Sequence, residues 1–384
     1  MNKYKLRDLL TIHNGKDYRK LSAGNVPVYG TGGLMTRVNN ALYSGDSILL
    51  PRKGTLDNIM YVTGEFWTVD TMYWTTINFE KAYPKYLYYY LSLLDLSSKN
   101  TGSALPSMTY NSYYDLDIEL PDLSYQKKVA EYVSNIDQKI AINNKISKEL
   151  ESMAKTIYNY WFLQFEFPDK DGKPYKSNGG KMVWNDQLKQ EIPEGWEVAN
   201  LYRIAKFING IACQKYRPLD DKHKLPVIKI TEMHDGFTEN TEFVRDSISK
   251  DHIINDGDIL FSWSASLETM IWNNGKGGLN QHIFKVIPQD YFSQHFVYQT
   301  LSSYIVNFKR MAEARKTTMG HITKDHLKQS RIMIPPKHVI NKFESLVNNF
   351  YKEITNLNEE NQQLKSLRDF LLPLLVNGQV TVEG

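Results

Sequence analysis

The 384-residue chain holds a single cysteine, Cys213. One thiol excludes a disulfide framework and a cysteine-based zinc site, and it fits a reducing cytoplasm. Long apolar runs are missing as well. The longest near the C-terminus, "FLLPLLV", is far short of the ~20 residues a bilayer requires. The start, "MNKYKLRDLL", does not read as a signal peptide, so the expectation is a cytoplasmic protein without a membrane anchor. Charge of one sign is also scarce: 46 Lys+Arg against 43 Asp+Glu leave a net of +3. Residues 1–125 hold twelve of each and balance to zero. Nucleic-acid binders usually carry a basic excess, because neutralising phosphates releases counterions. If this chain binds DNA, its cations must be gathered on one face, or a partner must supply them. Catalytic signatures are absent too. There is no Asn/Asp-Pro-Pro-aromatic motif, no Walker A lysine, no HExxH and no Asp…Glu-x-Lys core, which argues for a binding module.

What is present is a repeat. Align Pro121 with Pro335, an offset of 214. Val129, Val133, Ile136, Ile140, Asn143, Ser147, Leu150, Ala154 and Ile157 then match Phe343, Val347, Phe350, Ile354, Leu357, Asn361, Leu364, Arg368 and Leu371. Both rows step by four and three, the spacing of a coiled-coil seam. Further upstream, "LRDLLTIHNG" from Leu6 parallels "LYRIAKFING" from Leu201 at an offset of 195. Gly45-Asp46 parallels Gly257-Asp258 at 212. The frame of the unit is shared, whereas its interior differs in length and sequence. Two copies of about two hundred residues mean duplicated domains with pseudo-symmetry.

Each copy reads as a head followed by a long helix. The heads mix short β-branched and aromatic runs, such as "DSILLP", "FWTVDTMYWTTI" and "HIFKVIP", with one expected helix apiece, "YPKYLYYYLSLL" and "SQHFVYQTLSSYIVNF". A helix of about 32 residues is roughly 48 Å long. Its apolar stripe is only two positions per heptad wide, which suits a single partner helix, and the other copy is the obvious one. Antiparallel pairing without stagger brings Asn143 within a residue of Asn361. A homodimeric coiled coil, or a standalone structural or regulatory protein, is the competing reading. The fold class is therefore α+β: two mixed domains in pseudo-twofold repeat, separated by two long helices paired as an antiparallel coiled coil.

Motifs in the heads nominate contact residues. "VYGTGG" (Tyr29, Thr31, Gly32, Gly33) lacks the lysine of a P-loop and is in itself a tight turn, yet it lets backbone N–H groups approach phosphate or base edges. "PRKGTLDN" places Arg52 and Lys53 on a turn after a strand, with Thr55 beside them, a shape suited to bidentate guanine or phosphate contacts. "NTGSALPSMT", with Ser103, and "EARKTTMGHIT", with Arg315, Lys316 and Thr317, fall at matching places in the two copies. Arg37, Lys229, Ser262, Trp263, Ser264, Lys276, Gln281 and His282 complete the DNA-contact candidates. The seam candidates are Val133, Ile136, Ile140, Asn143, Leu150, Phe350, Ile354, Leu357, Asn361 and Leu364.

Taken together, "YGTGG…SGDSILLPRKGTLDN…FWTVDTMYW", "MAKTIYNYWFLQFEF" and "LRDFLLPLLVNGQV" resemble the DNA specificity subunit of type I restriction–modification systems over nearly the whole chain. The resemblance implies target-recognition domains at 1–122 and 191–336, each reading half of a bipartite, asymmetric site. It implies spacer helices at 123–166 and, with a C-terminal tail, at 337–384, and a connecting loop at 167–190. It further implies a non-catalytic subunit that binds double-stranded DNA, two methyltransferase subunits and, in the full complex, two restriction/translocase subunits. No cofactor would sit on this chain; S-adenosylmethionine, ATP and magnesium would belong to the partners. One departure is visible: Gln126, after the first Pro, has no glutamine counterpart in "IPPKHVINKFESL".

Overall fold

The computed structural model describes residues 1–99, 106–264, 266–314 and 322–381. The chain divides into two compact units, 1–141 with 363–384, and 142–362. Each holds one head and portions of two long helices, Leu123–Tyr158 and Lys337–Val376.

The two heads share their strand connectivity. In the first, an antiparallel sheet runs in the order Leu10–Asn14, Met72–Ile77, Ser47–Pro51, Met60–Val62. In the second, the corresponding order is Ala205–Asn209, Ile283–Pro288, Ile259–Ser262, Glu268–Ile271. The central strands "SILLP" and "ILFS" are buried at every position, so neither alternates polar and apolar residues. Gly45 and Gly257 precede them at φ of 144° and 90°, a backbone that disfavours side chains. A second sheet in the first head orders Gly33–Val38, Ala23–Gly30, Glu65–Thr68, Tyr43–Ser44. Its counterpart orders Phe243–Arg245, Lys224–Ile228, Gly277–Leu279, Ile253–Ile254. Each contains one parallel pair at the same place: Val28 beside Trp67 and Val227 beside Gly278. A two-stranded sheet closes each head, Asn2–Lys5 with Asp117–Leu120 and Glu197–Ala199 with Ile332–Ile334.

These registers locate the length difference between the copies. The offset is 195 at Leu6/Leu201 and 199 at Val28/Val227. It becomes 211 at Tyr43/Ile254. The largest single step falls in one hairpin, where the offset passes from 199 at Val26/Leu225 to 206 at Val38/Val244. The first head turns between Gly30 and Gly33 with two residues, whereas the second runs from Ile228 to Phe243 through fourteen. Those fourteen include the short helix Ile230–Asp235. Glu232 orders the excursion: it accepts from Lys229 N at 3.1 Å and from Thr241 Oγ1 at 3.3 Å.

The head helices form at Pro84–Ser92 and Gln294–Ala314, with shorter ones at Tyr110–Tyr114 and Lys324–Gln329. "FWTVDTMYWTTI" splits into strands Glu65–Thr68 and Met72–Ile77, because Met72 N bonds back to Val69 O in a turn. The segment read as a connecting loop carries a hairpin, Met182–Asn185 with Gln190–Pro193. Gln126 is buried and serves the first head alone: its Oε1 accepts from Tyr83 N at 2.8 Å at the start of helix Pro84–Ser92. Ile340, the repeat-equivalent residue, is fully buried in the second core.

Within each unit the long helices run antiparallel. In the first unit Val129 and Val133 pack in one cluster with Leu372, Leu375 and Val376, and Asp137 pairs with Arg368 at 3.0 Å. In the second, Tyr158 meets Phe343 with ring centroids 6.1 Å apart, while Asn143 meets Asn361. Every seam position from both rows is buried or half-buried. Asn143 Nδ2 donates to Asn361 Oδ1 at 3.0 Å and to Glu360 Oε2 at 2.7 Å, and Asn361 Nδ2 donates to Asn144 Oδ1 at 2.9 Å. Asn143 Oδ1 is buried without a partner among the described residues. This polar layer interrupts a mainly apolar seam, a device that sets register at some expense of stability.

Candidate nucleic-acid interface

In the first head the two nominated loops meet. Asn58 Nδ2 donates to the carbonyl of Thr31 at 2.5 Å, and a Cβ on Gly54 would come within 3.3 Å of the Thr31 hydroxyl. Thr31, Gly32 and Gly33 line a groove of about 610 Å³ with Asp17, Tyr18, Arg19, Leu34, Met35 and Asp70. Leu34 and Met35 are exposed apolar side chains at its rim. Arg52 adjoins this region, its guanidinium reaching the Asp70 carbonyl at 3.5 Å and lying 6.0 Å from the Tyr73 ring centre. Burial pushes the Tyr73 phenol up, and Arg52 pulls against it. Lys53 and Thr55 are exposed on the same turn. Arg37 is exposed, with one guanidinium nitrogen donating to the Asn25 carbonyl at 2.7 Å.

The second head places different side chains on the same backbone positions. Arg52 N donates to Thr71 O at 2.8 Å, and its carbonyl accepts from Met108 N at 3.1 Å. Trp263 N donates to His282 O at 3.3 Å, and its carbonyl accepts from Ile322 N at 3.0 Å. Trp263 therefore occupies the place of Arg52, and His282 that of Thr71. Trp263 Nε1 donates to Asn209 Oδ1 at 3.0 Å, its ring sits 5.6 Å from the His282 ring, and Gln281 Nε2 lies 3.3 Å from His282 Nε2. One copy offers a guanidinium. The other offers an indole, an imidazole and an amide, groups suited to stacking and to hydrogen bonds on base edges.

Other nominated residues stand apart from these clusters. Ser262 is fully buried and its hydroxyl donates to the Ser264 carbonyl at 3.2 Å, so it presents nothing at the surface; Ser264 is buried too. Lys229 Nζ is held by Glu242 at 3.2 Å on the long hairpin, and Lys276 is exposed before strand Gly277–Leu279. Ser103, Arg315, Lys316 and Thr317 lie outside the described residues. Arg19, which the motif reading passed over, lines the groove and binds Asp17 through Nε at 3.0 Å. Those hydrogen bonds hold the Asp17 carboxyl below its usual range. Its signal was a short match between the copies, "YRKL" and "YRPL", at an offset of 198. Among the described residues no group of three or more His, Cys, Asp and Glu could hold a metal ion, and no helix is long and apolar enough to cross a membrane.

Comparison with known proteins agrees with this duplicated architecture. The family model described as "Type I restriction modification DNA specificity domain" matches twice, over residues 1–152 and 193–366. The type I restriction enzyme MjaIX specificity subunit of Methanocaldococcus jannaschii is 27% identical over 310 residues, spanning 78% of this chain and 69% of the relative. The HindI specificity subunit of Haemophilus influenzae is 24% identical over 336 residues, 74% of this chain and 73% of the relative. The crystal structure of a type I restriction–modification S subunit from M. genitalium shares the fold, with a TM-score of 0.58 at 12% identity over 97% of this chain and 95% of that one. With both halves of its sequence matched by the family model and two heads of one connectivity, the chain belongs to the type I restriction–modification DNA specificity family, as a non-catalytic subunit for DNA sequence recognition.

Proposed function

We propose that each head reads one half of a bipartite, asymmetric DNA site and that the long helices set the spacer between the halves. The observation that carries this reading is the shared strand connectivity with different side chains at equivalent positions, Arg52 against Trp263 and Thr71 against His282. Two readers on one frame recognise two different half-sites, and an asymmetric target follows. The Asn143–Asn361 layer supports the role of the helices, because a register fixed in the seam is what a ruler requires. The helices also dock two methyltransferase subunits, and two restriction/translocase subunits join the full complex, in the cytoplasm. S-adenosylmethionine, ATP and magnesium are bound by those partners. The small net charge of +3 suits this division, since the partners supply much of the phosphate contact.

Exchange of residues 199–320 for the same segment of a relative tests the reading directly. Methylome sequencing of the host should then show one half of the modified motif replaced and the other half unchanged. Simultaneous change of both halves would rule out independent heads.

A further inference from the structure

The loop that leads into the hairpin sheet differs between the heads in length and in most of its residues, yet "Tyr-Arg-x-Leu" recurs in it, as Tyr18 to Leu21 and Tyr216 to Leu219. Both loops start from the same backbone anchor. Lys16 N donates to Thr68 O at 2.8 Å, and Ile211 N donates to Leu279 O at 2.9 Å. The preceding glycines are fixed by the same close approach. A Cβ on Gly15 would lie 1.9 Å from the Val69 carbonyl oxygen, and one on Gly210 would lie 2.1 Å from that of Asn280. Both tyrosines then pack on equivalent small cores. Tyr18 rests against Val26, Val28, Val38 and Val69, and Tyr216 against Leu225, Val227 and Val244. Strand pairing sets Val26 opposite Val38 and Leu225 opposite Val244. The tyrosine thus pins the loop at one place in both heads, and the next residue, Arg19 or Arg217, emerges from that pin into solvent.

Each arginine lines a groove along its hairpin, but at different ends of it. Arg19 lies with Thr31 to Met35 at the turn, whereas Arg217 lies with Lys224, Glu242 and Phe243, where the first head has Asn25, Thr36 and Arg37. Two further departures from equivalence are local. Asp17, which holds Arg19, is replaced by Lys215, and Leu21 packs inward whereas Leu219 is 87% exposed.

We propose that Arg19 and Arg217 are a matched pair of DNA-backbone contacts, one per head, that clamp a phosphate and set the register in which the variable side chains read bases. Residues that discriminate between half-sites must differ between the heads, as Arg52 and Trp263 do. An arginine retained after the same pinned tyrosine in two heads with different readers serves what every half-site has in common, and that is the phosphate. The guanidinium fork matches phosphate geometry. In the first head Asp17 holds that fork in place until phosphate displaces the carboxylate.

This inference rests on DNA recognition by the heads, and the experiment separates the two. The full chain, assembled with its methyltransferase subunit, is titrated onto a duplex carrying the methylated motif and onto a scrambled duplex, across a range of salt. Preference of the wild-type complex for the motif duplex checks recognition itself. Arg19→Ala and Arg217→Ala should each weaken binding to both duplexes by the same factor, roughly fivefold, and lower the salt slope by about 0.9. The two factors should multiply in the double variant. Arg→Lys at either position should restore most of the slope, and the modified motif should stay unchanged in every variant. Because both side chains are exposed, thermal melting of the variants should match wild type, which excludes misfolding as the cause. A loss confined to the motif duplex would make the arginines base readers and overturn the clamp, as would an unchanged salt slope.

Discussion

Replacing Asn143 and Asn361 together by leucine removes the paired-amide layer in the helix seam of the second unit. Three hydrogen bonds disappear, at 2.7, 2.9 and 3.0 Å. Each is worth about 0.5–1.5 kcal/mol net. Asn144 sits at an exposed position and Glu360 at a half-exposed one, so water takes back those two partners. Against this, two leucines bury about 1.5–3 kcal/mol each, and the unpartnered Asn143 Oδ1 ceases to burden the core. The double variant should therefore be more stable by about 1–2 kcal/mol. Asn143→Leu alone should behave in the opposite way. It strands Asn361 Oδ1 in a residue only 5% exposed, at about 1–3 kcal/mol. Urea unfolding followed by helical circular dichroism gives the ordering, and a double-mutant cycle gives the coupling. A double variant less stable than either single variant would refute the reasoning. The compensating loss should appear in specificity: methylome sequencing should detect motifs with more than one spacer length, because an all-apolar seam tolerates neighbouring registers.

Arg52→Ala should weaken binding to the cognate duplex by about 1–3 kcal/mol while barely affecting scrambled DNA; equal loss on both would move Arg52 to the backbone class. One heptad inserted into both helices should lengthen the preferred spacer by roughly 10 Å, about three base pairs, and an unchanged spacer would sink the ruler. Acid should loosen the second unit through Glu344. Burial is the largest single influence and works to raise this carboxyl, but the His295 hydrogen bond at 2.7 Å, the His295 charge and smaller hydrogen bonds together outweigh it and hold it below its ordinary value of 4.5. A depressed carboxyl contributes stability above the unfolded value and loses it as pH falls through the folded one. Stability should therefore decline below pH 4.5, and Glu344→Gln should flatten that decline; an unaltered acid limb would remove Glu344 as its source.

The helices were legible in the sequence because a seam writes itself locally, every third and fourth residue. One offset of 214 carried Val129 onto Phe343 and Ile157 onto Leu371 without a gap. The antiparallel arithmetic that set Asn143 near Asn361 needed only those positions. The heads were legible as α+β but not in their connectivity. Their strands are two to eight residues long, and the parallel pairs join Val28 to Trp67 and Val227 to Gly278 across the chain. Nothing local records such a pairing. Ser262 was among the contact candidates, but its hydroxyl turns to the Ser264 carbonyl in the buried layer. Arg19 and Arg217 were overlooked because their offset of 198 lies between those of the flanking frame, and four matched letters do not stand out until Tyr18 and Tyr216 are found on equivalent cores.

The hairpin that holds the largest share of the length difference has an evolutionary consequence. It leaves one sheet after Gly30 or Ile228 and returns at Gly33 or Phe243, with the paired strands on either side intact. Between equivalent strand pairs, Val28 with Thr36 and Val227 with Glu242, the connection grows from seven residues to fourteen, a single doubling that costs only about 0.6 kcal/mol in closure entropy. The longer version recovers part of that by ordering itself around Glu232. Insertions, deletions and recombination at this one site can therefore generate new head surfaces while the strand pairs persist, provided the new segment covers what Met233, Ile230 and Phe237 now pack against, Trp272 and Leu279 among them. A lineage could change what it reads by exchanging about a dozen codons, while the frame that holds the reader stays as it was.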